Sequence, residues 1–183
     1  DNAGNMVLCA WHNSELFLLD QATGLMDRFC GTSVRPCFGP VPDPQDALTA
    51  CVDLPAAVAY DSEGGLCFTD QAHMIIRRIK DGTVHTIVGT QPVYNSGTGN
   101  WALQYGFSGD GGPATEARLS FPRGQIADVG GKFCFDADGN MYIADTSNHA
   151  IRRVDAITGI ITRVAGAAPV SDGLGGFVGL AGY

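Results

Sequence analysis

One stretch of this chain, Gly139 to Gly166, occurs three times in different states of decay, and that repeat restricts the fold more than any other feature. It reads GNMYIADTSNHAIRRVDAITGIITRVAG. Gly4 to Gly31 falls under it without a gap, and Gly64 to Gly89 aligns after a two-residue deletion before Gly82. A period of some tens of residues marks a solenoid, a propeller or another array whose units bury their apolar faces on their neighbours.

Inside each copy the apolar residues alternate with period two, the pattern of half-buried strands. In the third copy this predicts strands over Met141 to Ala144, Ile151 to Val154 and Ile160 to Ala165. Asp136-Ala-Asp-Gly-Asn140 and Asp155-Ala-Ile-Thr-Gly159 carry turn chemistry: an Asp that caps its own backbone and a Gly that tolerates positive φ. Upstream, Gly131 to Asp136 and Pro55 to Asp61 read as a fourth strand. Four short antiparallel strands are the content of one propeller blade. The copies span 1–31, 54–89 and 123–166, joined by long Pro- or Gly-rich connections at 32–53 and 90–122, with a last strand at 177–183.

The termini suggest how an array would close. Val178 to Tyr183 can be laid over Pro55 to Tyr60, and Asp1 to Asn5 supplies the continuation. The first copy then lacks its first strand and the end of the chain carries a spare one, as in a split blade. The absence of an initiator Met implies a chain processed or cut from something longer.

Composition narrows the partners. A net charge of −8 repels phosphate backbones, which argues against nucleic acid. No run is long and apolar enough for a membrane span. Six Cys, none in a C-x-x-C pair, fit an oxidising, extracellular or cell-surface setting better than a zinc ribbon or a cytosolic redox motif. Cys37 and Cys51 bracket the Pro-rich connection and are the expected disulfide.

With D-G-N-M-Y-I-A-D-x-x-N-H-x-I-R-R-V-D-x-x-T-G-x-I-T-x-V-A-G in view, preceded by GFSGDGGPATEARLSFP, the chain resembles the NHL-repeat family, best over residues 106–166 and least in the first copy. The resemblance implies an all-β, NHL-type β-propeller segment of three four-stranded blades, the first split between the termini. Three copies are fewer than the roughly four to eight blades that close a propeller. Either the chain is a piece of a longer array, or a second subunit completes it by terminal strand exchange, as a ring or a filament. The function implied is a non-catalytic extracellular module for protein binding, adhesion or self-assembly, with a protein or glycan as ligand. The alternative is a propeller enzyme, such as a metal-dependent lyase, with its site in the central channel.

Individual residues carry further expectations. Asp70 with Arg77-Arg78, and Asp145 with Arg152-Arg153, recur as acid and base in two copies and vanish together in the first, where Ala10, Phe17 and Leu18 stand. That covariation predicts structural ion pairs between adjacent strands rather than an anion site. The same replacement leaves Trp11, Leu16, Phe17 and Leu18 as an apolar face, which either forms, with Val178, Leu180 and Tyr183, the expected interface or packs under the Pro-rich connection. Asp136-x-Asp138-Gly-Asn140 starts like a calcium loop, but Met141 and Ser147 stand where an EF-hand needs Gly and Glu, so it reads as a turn. Ser108, Asp110 and the adjacent glycines are a weaker backbone site for calcium or an anion. The four His do not recur as ligands, and no nucleophile sits in a catalytic motif, so neither a catalytic residue, a metal site nor a cofactor is expected.

Overall fold

Each copy of the repeat folds as an antiparallel meander of three strands with the same link between the first two, while the second turn is shorter in the middle copy. In the computed structural model, which describes residues 1, 3–37, 43–122, 129–166, 170–171 and 177–178, the first copy forms β1 (Met6–Ala10), β2 (Glu15–Leu19) and β3 (Met26–Gly31). The middle of the chain adds β4 (Gln45–Asp46), β5 (Pro55–Tyr60), β6 (Leu66–Asp70), β7 (Ile75–Lys80) and β8 (Thr83–Val88). A hairpin follows, β9 (Val93–Asn95) and β10 (Asn100–Ala102), then β11 (Phe133–Phe135), β12 (Met141–Asp145), β13 (Ala150–Val154) and β14 (Ile161–Gly166). The last pieces are β15 (Val170–Ser171) and β16 (Phe177–Val178).

The local reasons repeat with the sequence. The link between the first two strands of each copy ends in a left-handed residue at the same aligned position, Ser14, Met74 or His149, with φ of 57°, 61° and 52°. Each copy then closes on a glycine, Gly31, Gly89 or Gly166, also at positive φ. A Cβ there would lie 2.2, 2.7 or 2.1 Å from the carbonyl oxygen of Ser14, Met74 or His149, so no other residue fits without moving the link. The register slips by a bulge at one matched place, between Leu16 and Phe17, Ile76 and Arg77, Ile151 and Arg152. The second turn is held by an Asp: Asp20 Oδ1 accepts from the backbone N–H of Ala22 and Thr23, and Asp155 Oδ1 from those of Ile157 and Thr158.

Around this common core the sheets differ, and the expected set of uniform four-stranded blades is not formed. The sheets have three strands (β1-β2-β3), five (β4-β8-β7-β6-β5), four (β11-β12-β13-β14) and two (β10-β9), with a further pair β15-β16. Among the described residues none closes on itself, so the NHL-type propeller reading of the fold is corrected to an open array of unequal sheets. The connection at 32–53 supplies β4, which adds a fifth strand beside β8. Among the described residues the split first blade is not formed either, the first sheet being β1-β2-β3 alone. β16 pairs with β15, Val170 against Val178, instead of reaching β1. A short link between two strands closes locally at little entropic cost, which a distant edge cannot match. The connection at 90–122 is also less irregular than its glycines suggest, since it contains the β9-β10 hairpin with Tyr94 and Trp101 packed 5.3 Å apart.

The three larger sheets stack face on face. Leu16 and Cys30 of the first sheet meet Leu66, Phe68, Ile79 and Val84 of the second, with Ala47, Ala50 and Val52 of the connection between them. On the other side of the second sheet, Cys67, Ile76 and Val88 meet Met141, Ile143 and Ile161 of the third, with Ala114, Ala117, Leu119 and Phe121 of the later connection. Each fully buried aliphatic or aromatic side chain contributes about 1.5–3 kcal/mol relative to exposure. The face a sheet turns to the following sheet is called its back, the opposite face its front. Both interfaces join a back to a front.

Candidate association faces

At each interface a buried arginine clamps the incoming connection. Arg77 and Asp70 are fully buried and 3.5 Å apart. The shorter bonds of Arg77 go elsewhere: Nη1 donates to the Cys51 carbonyl at 2.7 Å and Nη2 to Gln45 Oε1 at 2.9 Å. Arg152 and Asp145, 3.3 Å apart, repeat the arrangement. Arg152 Nη2 donates to the Ser108 carbonyl at 3.0 Å, Nε lies 2.9 Å from Asp110 Oδ1, and the guanidinium sits 4.7 Å from the Phe107 ring centroid. These pairs tie a sheet to the loop that precedes it as much as they tie neighbouring strands. Ser108 and Asp110, considered as an ion site, are spent on Arg152.

The neighbouring arginines do not join these pairs. Arg78 bonds Asp61 and Glu63, and Arg153 bonds Asp155 and Asn140. Burial works against ionised Asp61, but Arg78 and two backbone N–H groups hold its carboxyl below the usual range. Asp136 accepts the N–H groups of Asp138 and Asn140, which makes its loop a closed turn.

Sequence reading missed the third member of each clamp. Asp70 Oδ1 lies 2.7 Å from His73 Nδ1, while His73 Nε2 lies 3.0 Å from the Cys37 carbonyl. Both partners are acceptors, an environment that favours the ring protonated on both nitrogens. Burial pushes its pKa down, yet the Asp70 charge, its hydrogen bond and the Cys37 carbonyl outweigh that, leaving it raised. At the matched place Asn148 donates to both Asp145 oxygens, at 2.9 and 2.8 Å. Burial raises the Asp145 pKa against those bonds and the Ser120 N–H. The signal was available: Asp followed three residues later by His or Asn occurs wherever the arginine does.

The disulfide Cys37–Cys51 is formed, its Cα atoms 5.8 Å apart, and stitches the connection that Arg77 and His73 hold. Asp53, beside it, pairs with Arg35 at 2.7 Å. Cys9, Cys30, Cys67 and Cys134 are free. Burial lifts the thiols of Cys30 and Cys67 to about 12. Among the described residues no group of three or more His, Cys, Asp or Glu is placed to hold a metal. With no channel enclosed by the sheets, the propeller-lyase alternative loses its site, and the shared-blade module loses the blade it was to share.

The expected interface residues divide. Leu16 is fully buried in the first interface within the chain, and Leu18 faces the same way. Phe17 lies on the opposite, front face of the first sheet in register with Leu8. Trp11 is half-buried in the link and stacks against His12 at 4.6 Å. Val178 belongs to β16, and Leu180 and Tyr183 lie outside the described residues.

Among the described residues two faces have no sheet packed on them. On backs, the matched positions Leu16, Ile76 and Ile151 are 0, 0 and 38% exposed. On fronts, Phe68, Ile143 and Leu8 are 0, 0 and 37%, and Val84, Ile161 and Met26 are 0, 0 and 54%. A groove of about 380 Å³ lies along the exposed back of the third sheet, lined by Cys134, Tyr142, Ala144 and Ile151 among others. Both faces therefore expose apolar side chains on strands whose other face is packed.

No protein-family profile and no curated protein matches the chain. Among solved structures it is similar to a protein of unknown function from Bacteroides thetaiotaomicron, 20% identical, with a TM-score of 0.56, over 87% of this chain and 32% of that one. An auxiliary nutrient binding protein from Bacteroides ovatus is 18% identical, TM-score 0.49, over 90% and 34%. A catalytically inactive virginiamycin B lyase from Staphylococcus aureus is 14% identical, TM-score 0.42, over 88% and 41%. The first likeness speaks to the fold alone, the other two carry no argument, and the chain spans about a third of the first protein's length.

Proposed function

We propose that this chain is a non-catalytic domain working outside the cytosol, as a secreted or surface protein, by burying its outer sheet faces against a further β-sheet. One observation carries the reading: Ile151 stands 38% exposed where its counterparts Leu16 and Ile76 are sealed by a neighbouring sheet. The absence of catalysis is supported by how the buried groups are engaged. Asp70, Asp145, Arg77 and Arg152 are taken up by one another and by backbone carbonyls, and the buried thiols titrate too high to act as nucleophiles at neutral pH. The Cys37–Cys51 bridge supports an oxidising compartment. No described helix is long and apolar enough to cross a membrane.

Sedimentation over a wide range of protein concentration tests the reading. The average mass is expected to rise above the 19.2 kDa of one chain, and Ile151→Arg to hold it there. A wild-type chain that stays at that mass throughout overturns the proposal.

A further inference from the structure

The second and third sheets are each held at their outer edge by the connection that precedes them, and both connections use the same device. Ala47 donates its N–H to the Gly82 carbonyl at 2.8 Å, and Ala114 to that of Gly159 at 2.9 Å. Two residues on, Val84 pairs with Gln45, while Ile161 donates to the Gly112 carbonyl at 3.0 Å and accepts from the Gly111 N–H at 2.8 Å. Both segments run antiparallel to the strand they join. Each then enters a short helical turn of the form A-x-x-A, Ala47-Leu-Thr-Ala50 or Ala114-Thr-Glu-Ala117, whose alanines are buried. Only beyond the turn do the clamps engage: the Cys51 and Arg118 carbonyls accept from Arg77 and Arg152, and the Asp53 and Ser120 N–H groups donate to Asp70 and Asp145.

In the first sheet the same place is Gly24 to Met26 on β3, since Gly24, Gly82 and Gly159 align. No described residue bonds the Gly24 carbonyl, or the Met26 N–H and carbonyl that correspond to those of Ile161, and β3 is the last strand of its sheet. Leu25 and Met26 are exposed where Val84 and Ile161 are sealed. We propose that this edge of β3 is a docking site for an extended peptide segment of a partner protein, running antiparallel to β3 and leading into a small-residue A-x-x-A turn. The chemistry and direction of the occupant are read from the two segments that fill the equivalent places. An unpaired edge is completed by backbone, and side chains select which backbone. A second copy is not the source, because the two turns of this kind among the described residues are engaged in their own sheets. Charge does not bar the segment. Arg28 is matched by Arg163 in the third sheet, whose edge is filled, and Arg28 itself reaches to the Gly31 and Leu48 carbonyls and to Glu15. The clamp positions are Ala10 and Phe17 here, so the segment is held by edge bonds and apolar contact alone and exchanges where the internal ones are fixed. The site is an edge, not a face, and the inference does not rest on the association reading.

Amide hydrogen exchange on dilute, monomeric protein tests this, with a synthetic peptide of sequence GGPATEARLSFP, that of residues 111–122, as the probe. At saturation it is expected to slow exchange of the Met26 amide at least tenfold and to leave those of Val84 and Ile161, already paired, unchanged. The same peptide N-methylated at its first alanine lacks the N–H that meets the Gly24 carbonyl and is expected to bind at least tenfold more weakly. Both arms use the unaltered chain, so no variant has to fold. A Met26 rate indifferent to millimolar peptide overturns the proposal. Equal binding of the methylated peptide does so too, since contact would then occur without edge pairing. Altered exchange at Ile161 with Met26 unmoved would mean that the peptide only displaces its own original, which also overturns it. Protection of Met26 that appears on concentrating the protein without peptide would assign the edge to a second copy instead.

Discussion

The second and third sheets share strand order, bulge and clamp, yet one is sealed on both faces and the other on one. Ile76 and Ile151 occupy the same position, 0% and 38% exposed. What separates them is not local sequence but the presence of a following sheet. The repeat therefore writes a surface at each position in the chain that only a neighbour can turn into a core. Burial is decided one unit away from the residue that is buried.

The largest effect expected from this contrast comes from charge. Ile76→Arg places an unpaired guanidinium between two packed sheets and is expected to prevent folding, while Ile151→Arg is expected to change monomer stability by less than about 0.5 kcal/mol. Urea unfolding of the two variants, compared at low concentration, decides it. Equal destabilisation would mean that the third sheet has no free back.

The clamps sharpen the comparison next. Asp70→Ala and Asp145→Ala each strand a buried arginine and are expected to cost about 3–5 kcal/mol by chemical denaturation. A loss below about 1 kcal/mol at either site would show that Arg77 or Arg152 is satisfied by carbonyls alone. The disulfide acts on the first interface only. Replacing Cys37 and Cys51 by Ser is expected to cost about 3 kcal/mol, the scale for a loop of that length, and to leave the protection of Ile143 and Ile161 amides ahead of that of Phe68. Uniform loss of protection in both cores would contradict a local role.

The smallest effect separates His73 from Asn148. His73 has a folded pKa raised above its ordinary value, so its contribution is fully present below about pH 6.5 and is lost as pH rises through the raised pKa. The groups facing it are Asp70, Arg77 and the Cys37 carbonyl. His73→Asn copies the other clamp and is expected to flatten that part of the pH–stability curve. An unchanged curve would show that the ring is not the titrating group.

Much of each sheet was legible from the residues. The closing glycines, the Asp-headed turns and the period-two strands follow from local sterics, and Gly31, Gly89 and Gly166 report them directly. The assembly was not. β4 arises from the Pro-rich connection, where period-two patterning covers only Gln45–Asp46, too short to register. The pairing of β15 with β16 is a local choice that an alignment of Val178 to Tyr183 with Pro55 to Tyr60 cannot weigh. Uniform blades were inferred from uniform repeats, and the unequal sheets come from the parts that do not repeat. In the same way Leu16 looked like a surface residue because its copy lacks the arginine, although it points to the sealed side of its sheet. Cys37 and Cys51 were readable because sequence proximity brought them together, whereas the role of His73 needed the Cys37 carbonyl from 36 residues away.

The most direct test of the account is the rate of thiol labelling as a function of protein concentration. Cys134 stands exposed on the uncovered back, and Cys67 is buried on the covered one. The account predicts that Cys134 reacts quickly in dilute solution and progressively more slowly as concentration rises, with Cys67 protected throughout. A Cys134 rate that does not depend on concentration, or a Cys67 that labels as fast as Cys134 in the folded protein, would contradict it.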